Sequence, residues 1–526
     1  MKKFVLLLDT PSIKKFVFST DKMQEISGAS GILDSLNRKE TIDILSKGMD
    51  IEEIYCNGGT GQFIVYSEEA EIENCLKNLQ KKYMESTVGT AQIIYGYEIW
   101  KQEDSYFDVV KKAHQNLGKN KAHRNEIIAS EHTSFMKDCE SCAINPAEVL
   151  KEKQWICKVC EAKRKSFGET QTQGIWNSFI EYLSKRNYLG SNTPKWYEMR
   201  PENFDKIGER YKTGKIALVY ADGNSMGKVL MELNSKELSK LFSKVVDEGI
   251  RNACYEIMAR LCYDKHKNFV YGNILLLGGD DLLVVIPAED ALQFAHDIAV
   301  EFTENTKNSI EKACKSNQEI ANFFTGEREI IRQNGFTISS GVVIGKAKQP
   351  FHMLLEQSEE LLKLAKQKGN EHRSNLYCMP SYIDFHDATQ TVFSGIKEAR
   401  EYCWIGPQHN RIRMIRRPYS LEDLKDLMEH AKKIKDSKWP TSKLQNLRTA
   451  CFQSPRLLFQ ALLFNLSQVN SEQHKAMLKA LTHFQCNNFL RLLSFRNQNQ
   501  QEALAAQNTW EFVLSDLIEV VSLLPE

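Results

Sequence analysis

Long apolar runs are missing from this chain. No stretch of its 526 residues approaches the roughly 18 uninterrupted apolar positions that a bilayer-spanning helix needs. The run Phe4-Val5-Leu6-Leu7-Leu8 is cut by Asp9 and lacks a small-residue cleavage site, so it reads as a strand and not a signal peptide. Charge of one sign is missing too. Lys plus Arg is 69 and Asp plus Glu is 68, and a net of +1 argues against a surface built throughout to coat nucleic acid. A local basic groove stays compatible with that balance. Prolines number only 12 and 42% of residues are hydrophobic, which excludes a disordered or low-complexity chain. The 13 cysteines are odd in number and mostly scattered, which excludes a compact secreted disulfide framework. Cys254, Cys262, Cys314, Cys403 and Cys451 are expected to act as small buried hydrophobes. The expectation is a soluble cytoplasmic protein of about three to four domains, with no membrane partner.

What the sequence does contain is an internal repeat. A strand (4–8), a polar turn, a second strand (15–19) and a helix (31–46) lead into the hairpin Ile54-Tyr55-Cys56-Asn57-Gly58-Gly59-Thr60-Gly61-Gln62-Phe63-Ile64-Val65-Tyr66. A helix (71–84), a strand (92–97) and a helix reaching His114 follow. Some 220 positions later the order returns as a strand (216–220), a helix (236–261) and the hairpin Ile274-Leu275-Leu276-Leu277-Gly278-Gly279-Asp280-Asp281-Leu282-Leu283-Val284-Val285-Ile286. A helix (291–303), a strand (337–344) and a helix (353–366) complete it. Two copies of one β-α-β-β-α-β unit are the economical reading, with two unrelated α/β domains as the alternative.

Between the copies lie Cys139-Glu140-Ser141-Cys142 and Cys157-Lys158-Val159-Cys160. Two Cys-x-x-Cys knuckles at this separation put four thiolates within reach of one tetrahedral Zn²⁺. The segment is too polar to hold a core of its own, so the metal would supply folding energy. Redox dithiols are the alternative. Four protein ligands would leave no open position for catalysis.

The chemistry points to the second copy. Gly278-Gly279-Asp280-Asp281 sets two carboxylates at the tip of a hairpin with apolar arms, and Asp222 ends the preceding strand in Tyr220-Ala221-Asp222-Gly223-Asn224-Ser225-Met226-Gly227-Lys228. Asp222 and Asp280, with Asp281 beside them, would bridge one or two Mg²⁺ (or Mn²⁺) ions for nucleotidyl transfer. The glycines let a phosphate chain approach the backbone, and amides around Gly223, Asn224 and Ser225 could hold a triphosphate. Lys363, Lys366 and Lys368 are candidate phosphate contacts, Lys366 foremost. The competing reading of Gly-Gly-Asp-Asp is a tight turn, since these residues suit one sterically.

These residues resemble the large polymerase-cyclase subunit of type III CRISPR effector complexes, most closely its Cmr-type form. The resemblance rests on the two palm-like units, the four-cysteine module, the Tyr-Ala-Asp-Gly-Asn-x-Met-Gly-Lys and Gly-Gly-Asp-Asp motifs, and the opening Leu6-Leu7-Leu8-Asp9-Thr10-Pro11-Ser12-Ile13-Lys14-Lys15-Phe16-Val17-Phe18. It implies an α+β chain divided into a degenerate first palm (1–130), a zinc-binding and helical module (131–210), a second palm (211–390) and a C-terminal helical domain (391–526). It implies conversion of ATP into oligoadenylate second messengers when target RNA is bound, with other protein subunits, crRNA and target RNA as partners. The catalytic aspartates carried over are Asp222, Asp280 and Asp281. Many relatives have a further acidic residue where Asn224 stands, which leaves the metal more dependent on Asp222 and Asp280.

Many relatives also begin with an HD nuclease domain, whereas this chain starts in the first palm. Its His386-Asp387 pair is expected to lie in a loop. Thr60-Gly61 is expected to occupy the place of the aspartate pair in the first palm, making that copy catalytically silent and leaving it to present an acceptor nucleotide. From about residue 395 the pattern is helical, over 421–434, 455–466, 473–484 and 510–524. The cluster Arg411-Ile412-Arg413-Met414-Ile415-Arg416-Arg417 is either a solvated edge or a contact for RNA or a neighbouring subunit. Two other classes compete: a free-standing nucleotidyl cyclase of the GGDEF or adenylate cyclase type, and a scaffold without catalysis. A GGDEF signature would carry Phe where Leu282 stands.

Overall fold

The computed structural model describes residues 2–11, 13–123, 135–168, 174–189, 198–389, 395–401, 403–405, 412–484 and 511–525. Its first unit runs β1 (Lys2–Asp9), α1 (Ile13–Val17), α2 (Met23–Ser35), a π-turn (Leu36–Glu40), α3 (Thr41–Gly48), β2 (Asp50–Asn57), β3 (Thr60–Ser67), α4 (Glu69–Thr87), β4 (Ile94–Ile99) and α5 (Tyr106–Ala122). The strands form an antiparallel sheet in the order β2-β3-β1-β4. Residues 15–19, read as a strand, are instead helix α1 and the turn after it. β1 already has partners on both sides, so the apolar Phe16 and Val17 are buried by a helical turn and not by sheet pairing. The helix expected from residue 31 begins at Met23.

A small module follows, with β5 (Val149–Lys151), β6 (Gln154–Ile156) and α6 (Lys158–Gly168). Next come α7 (Ile175–Lys185) and α8 (Phe204–Gly208). The second unit contains β7 (Lys215–Gly223), α9 (Met226–Leu230), α10 (Lys236–Leu261), a short hairpin β8 (Tyr263–Asp264) and β9 (Phe269–Val270), then β10 (Asn273–Gly278) and β11 (Asp281–Pro287). It continues with α11 (Ala291–Ser316), α12 (Gln318–Phe323), α13 (Glu329–Asn334), β12 (Ile338–Lys346) and α14 (Phe351–Glu371). β10-β11-β7-β12 repeat the order of the first sheet. Period-two alternation explains how β7 stays buried on both faces: Ala217, Val219 and Ala221 face one core, and Ile216, Leu218 and Tyr220 the other.

His386-Asp387 is not in a loop. It ends β13 (Tyr382–Asp387), a strand parallel to β12 that α14 makes possible by crossing back over the sheet. After α15 (Ile396–Glu401) and the hairpin β14 (Trp404–Ile405) and β15 (Ile412–Arg413), β16 (Tyr419–Ser420) closes the six-stranded sheet. The C-terminal region is helical, with α16 (Leu421–Asp436), α17 (Thr441–Cys451), α18 (Pro455–Ser467), α19 (Ser471–His483) and α20 (Leu514–Leu523). Helix α17 escaped the sequence reading. Trp510 lies outside the described residues.

One arginine of the basic cluster does not lie at a solvated edge. Arg417 is 3% exposed; it pairs with Asp516 and Glu519 and donates to the Phe385 carbonyl. Arg413 pairs with Glu511 and Arg416 with Asp423. Asp516 and Glu519 of α20, about 100 residues onward, draw Arg417 inward, and no local pattern reveals that. Arg411 lies outside the described residues.

The two units meet around a pseudo-twofold axis. Arg38, in the π-turn that follows α2, pairs with Asp247 of α10 at 2.7 Å, and Arg251 of α10 pairs with Asp34 of α2 at 3.3 Å. Asp34/Asp247 and Arg38/Arg251 are each 213 positions apart, the same offset as Asp9 and Asp222 at the ends of β1 and β7. Residue i of one copy meets j of the other and the reverse, as in an isologous dimer.

Candidate functional site

Sheet register brings the three aspartates together. β11 pairs with β7 so that Asp281 stands opposite Asp222, and Asp280 sits at the turn between Gly279 and Asp281. Gly223 makes room for it: a Cβ there would come within 2.8 Å of the Asp280 Cβ. Burial, then the charges of Asp222 and Asp281, push the Asp280 carboxyl up to about 7. Burial and Asp222 push Asp281 up to about 6, with Lys14 and Lys366 pulling the other way. Carboxylates that resist ionisation beside one another are a donor set short of cations, and hard oxygen ligands suit Mg²⁺ or Mn²⁺.

Lys366 of α14 supplies part of the missing charge. Its Nζ lies 2.6 Å from Asp222 Oδ2 and 2.8 Å from the Gly223 carbonyl oxygen. Lys363 lines the same cavity, of about 540 Å³, together with Tyr220, Asp222 and Ser225. Lys368 pairs with Glu371. A second cavity, of about 360 Å³, lies between the units and reaches Gly58, Gly59, Gly278 and Asp281. Both volumes suit a nucleotide-sized ligand. The hairpin tips touch there: a Cβ on Gly278 would lie 3.0 Å from the Gly58 Cα. Gly279 has φ +62°, a left-handed turn that glycine adopts without strain.

The loop after β7 departs from expectation. Asn224 does not offer its amide to a phosphate: its N–H donates to the Thr337 carbonyl, and its side-chain amide to Thr337 Oγ1. Gly223 is paired with Ile338 in the sheet. Ser225 is left-handed at φ +60°, and its hydroxyl accepts from Arg373. Arg373 and Lys14 are thus cations beside the cavity that the sequence reading missed, and the Tyr220 hydroxyl is a further polar group there, 3.4 Å from Asp281 Oδ1.

Register also shifts the comparison of the hairpins by one residue. Thr60 stands opposite Asp9 as Asp281 stands opposite Asp222, so Gly59 and Thr60, not Thr60 and Gly61, are the counterparts of Asp280 and Asp281. The first unit keeps Asp9 where the second has Asp222. Asp9 pairs with Lys121 of α5 at 2.6 Å, mirroring the pair of Asp222 with Lys366 of α14.

In the small module the Sγ atoms of Cys139, Cys142, Cys157 and Cys160 all lie within 4.8 Å of one another. Contacts of 3.9 Å (Cys139 to Cys160) and 3.8 Å (Cys142 to Cys157) run between the knuckles, near the ~3.8 Å edge of a tetrahedron with 2.3 Å Zn–S bonds. A redox dithiol would pair within a knuckle. Amides of Cys157 and Cys160 point at Cys139 and Cys157 sulfurs. The group fits Zn²⁺.

Residues 215–375 match the family model described as Cas10/Cmr2, second palm domain. Among solved structures, the chain resembles a Csm1–Csm4 cassette in complex with cA4, at TM-score 0.54 and 12% identity over 99% of this chain and 70% of that one. It resembles the cassette with pppApApA at TM-score 0.55 and 12% identity, over 99% and 69%. The cassette with AMPPNP gives 0.51 and 11%, over 99% and 69%. At such identities the likeness is one of fold. No curated protein matches. Among the described residues no helix is long and apolar enough to cross a membrane.

Proposed function

We propose, from the premise that residues 215–375 are a second palm domain of the Cas10/Cmr2 family, that this chain is the nucleotidyl-transferring subunit of a type III CRISPR effector complex. On this reading it joins ATP molecules into oligoadenylates, works with protein subunits, crRNA and target RNA, and is triggered by the target. The observation that carries the reading is the convergence of Asp222, Asp280 and Asp281 beside two nucleotide-sized cavities. Csm1–Csm4 cassettes of the same fold are described in complex with AMPPNP, cA3 and cA4.

Asp222, Asp280 and Asp281 would hold Mg²⁺ or Mn²⁺. Bound there, divalent metal lowers the pKa of an attacking hydroxyl and neutralises the triphosphate. Lys366 orients Asp222 and faces the larger cavity, where the donor triphosphate is assigned. The inter-unit cavity is assigned to the acceptor nucleotide, whose hydroxyl must come within about 3 to 3.5 Å of the donor phosphorus. The first unit lacks two of the three carboxylates, so it serves as the acceptor platform. Cys139, Cys142, Cys157 and Cys160 would hold a structural Zn²⁺. A free-standing cyclase usually assembles its site by dimerisation, whereas here both halves already meet within one chain.

The test is incubation with ATP and Mg²⁺, with the protein alone and with its complex and target RNA, followed by mass spectrometry. Oligoadenylate is expected from wild type and none from the Asp280→Ala, Asp281→Ala double variant. Wild-type yield from that variant would refute the site, and Thr60→Ala as damaging as loss of Asp280 would refute the division of labour.

A further inference from the structure

We propose that Lys14, contributed by the first palm, is a phosphate ligand of the second palm's nucleotide cavity. The proposal rests on the reading of that cavity as the donor site, and it makes the triphosphate site a composite of both units.

Lys14 lies on α1, a turn anchored on several sides. Ile13 packs against Gly59 at the first hairpin tip, and Phe16 and Val17 are buried. Lys163 of α6, itself fully buried, donates to the Phe16 carbonyl and to Ser19 Oγ. The base of the side chain is therefore fixed, while its end crosses the boundary between the units. Lys14 Nζ reaches Glu359 Oε1 on α14 at 2.8 Å and lies 4.8 Å from the centre of the Tyr220 ring on β7. It borders both the cavity between the units and the cavity beside Asp222.

The chemistry favours phosphate as its partner. Lys366 is already engaged by Asp222 and the Gly223 carbonyl. Among the described residues the carboxylate that pairs with Lys14 is Glu359, in a pair whose side chains are 51% and 41% exposed. Exposed pairs of this kind shift an equilibrium by about fivefold at most. An ammonium bonded to phosphate oxygens makes a stronger, charge-assisted contact, so a triphosphate entering the cavity takes Lys14 from Glu359. Tyr220 keeps the ammonium at the cavity, since its ring attracts the cation from one side.

The experiment is calorimetric titration of the full chain with AMPPNP plus Mg²⁺, and separately with AMP, which lacks the β- and γ-phosphates. Lys14→Met is expected to weaken AMPPNP binding about tenfold while leaving AMP binding and melting temperature as in wild type. Glu359→Gln frees Lys14 and is expected to tighten AMPPNP binding by up to about fivefold. Equal AMPPNP binding by Lys14→Met and wild type would overturn the proposal alone. So would equal losses of AMP and AMPPNP affinity with a lowered melting temperature, or weaker AMPPNP binding in Glu359→Gln, since both mark a structural pair. Failure of wild type to bind AMPPNP would overturn the donor-site reading and this proposal with it.

Discussion

Asp280→Asn should stabilise the metal-free protein while destroying the proposed divalent-metal site. Burial and the neighbouring aspartates hold the Asp280 carboxyl at about 7, against an ordinary 3.8. A raised folded-state pKa means that the stability is complete below about pH 4 and is lost as pH rises through about 7. The displacement corresponds to at most about 4 kcal/mol, and burying an amide in its place returns part of it, so about 2 kcal/mol is expected at pH 8. For a unit the size of the second palm that is on the order of 5 °C in melting temperature. Scanning calorimetry with chelator should show the gain growing from about pH 4 to pH 7 and then levelling. Mg²⁺ should raise the melting temperature of wild type and leave the variant unmoved, because only a native state that binds the ion is stabilised by it. A variant melting at or below wild type at pH 8, or responding equally to Mg²⁺, would refute the account of the carboxylate cluster as a site short of cations.

Two further outcomes test other parts of the chain. Freshly purified protein should carry about one zinc per chain by elemental analysis, and Cys157→Ser should lose it and loosen α6, which packs on α2; absence of zinc from wild type would refute the assignment. Glu519→Gln should cost about 3 kcal/mol at pH 7, measured by denaturant unfolding, because it breaks a fully buried pair with Arg417. Burial alone would raise the Glu519 carboxyl, but the charge and hydrogen bonds of Arg417, with Arg448, outweigh it and hold it at about 2. That contribution is present above about pH 4.5 and should fade as pH falls toward 2; a Gln variant as stable as wild type at pH 7 would refute it.

Local chemistry determined much of this protein. Apolar runs of strand length separated by helical periodicity were enough to read two copies of one unit, because side-chain period and turn residues depend on the nearest neighbours alone. Two Cys-x-x-Cys knuckles and the Gly-Gly-Asp-Asp tip were legible for the same reason: their residues act as a group whose spacing is written in the chain. The Asp-x-x-x-Arg pairs at 34–38 and 247–251 were also legible, at the same 213-residue offset as Asp9 and Asp222, but only a search for charged pairs would have singled them out.

Only the tertiary structure decided the rest. Whether residues 15–19 pair as a strand depends on β1 already having a partner on each side. Whether Arg417 meets solvent depends on carboxylates about 100 residues later, and whether Asn224 faces a phosphate depends on Thr337. The correspondence of Gly59 and Thr60 with the aspartate pair follows from cross-strand register, which a count along the chain misses by one. Lys14 reaches the second palm because the two units fold face to face. Contacts between residues so far apart in sequence are chosen by the burial of whole faces, and no short window of sequence records that choice.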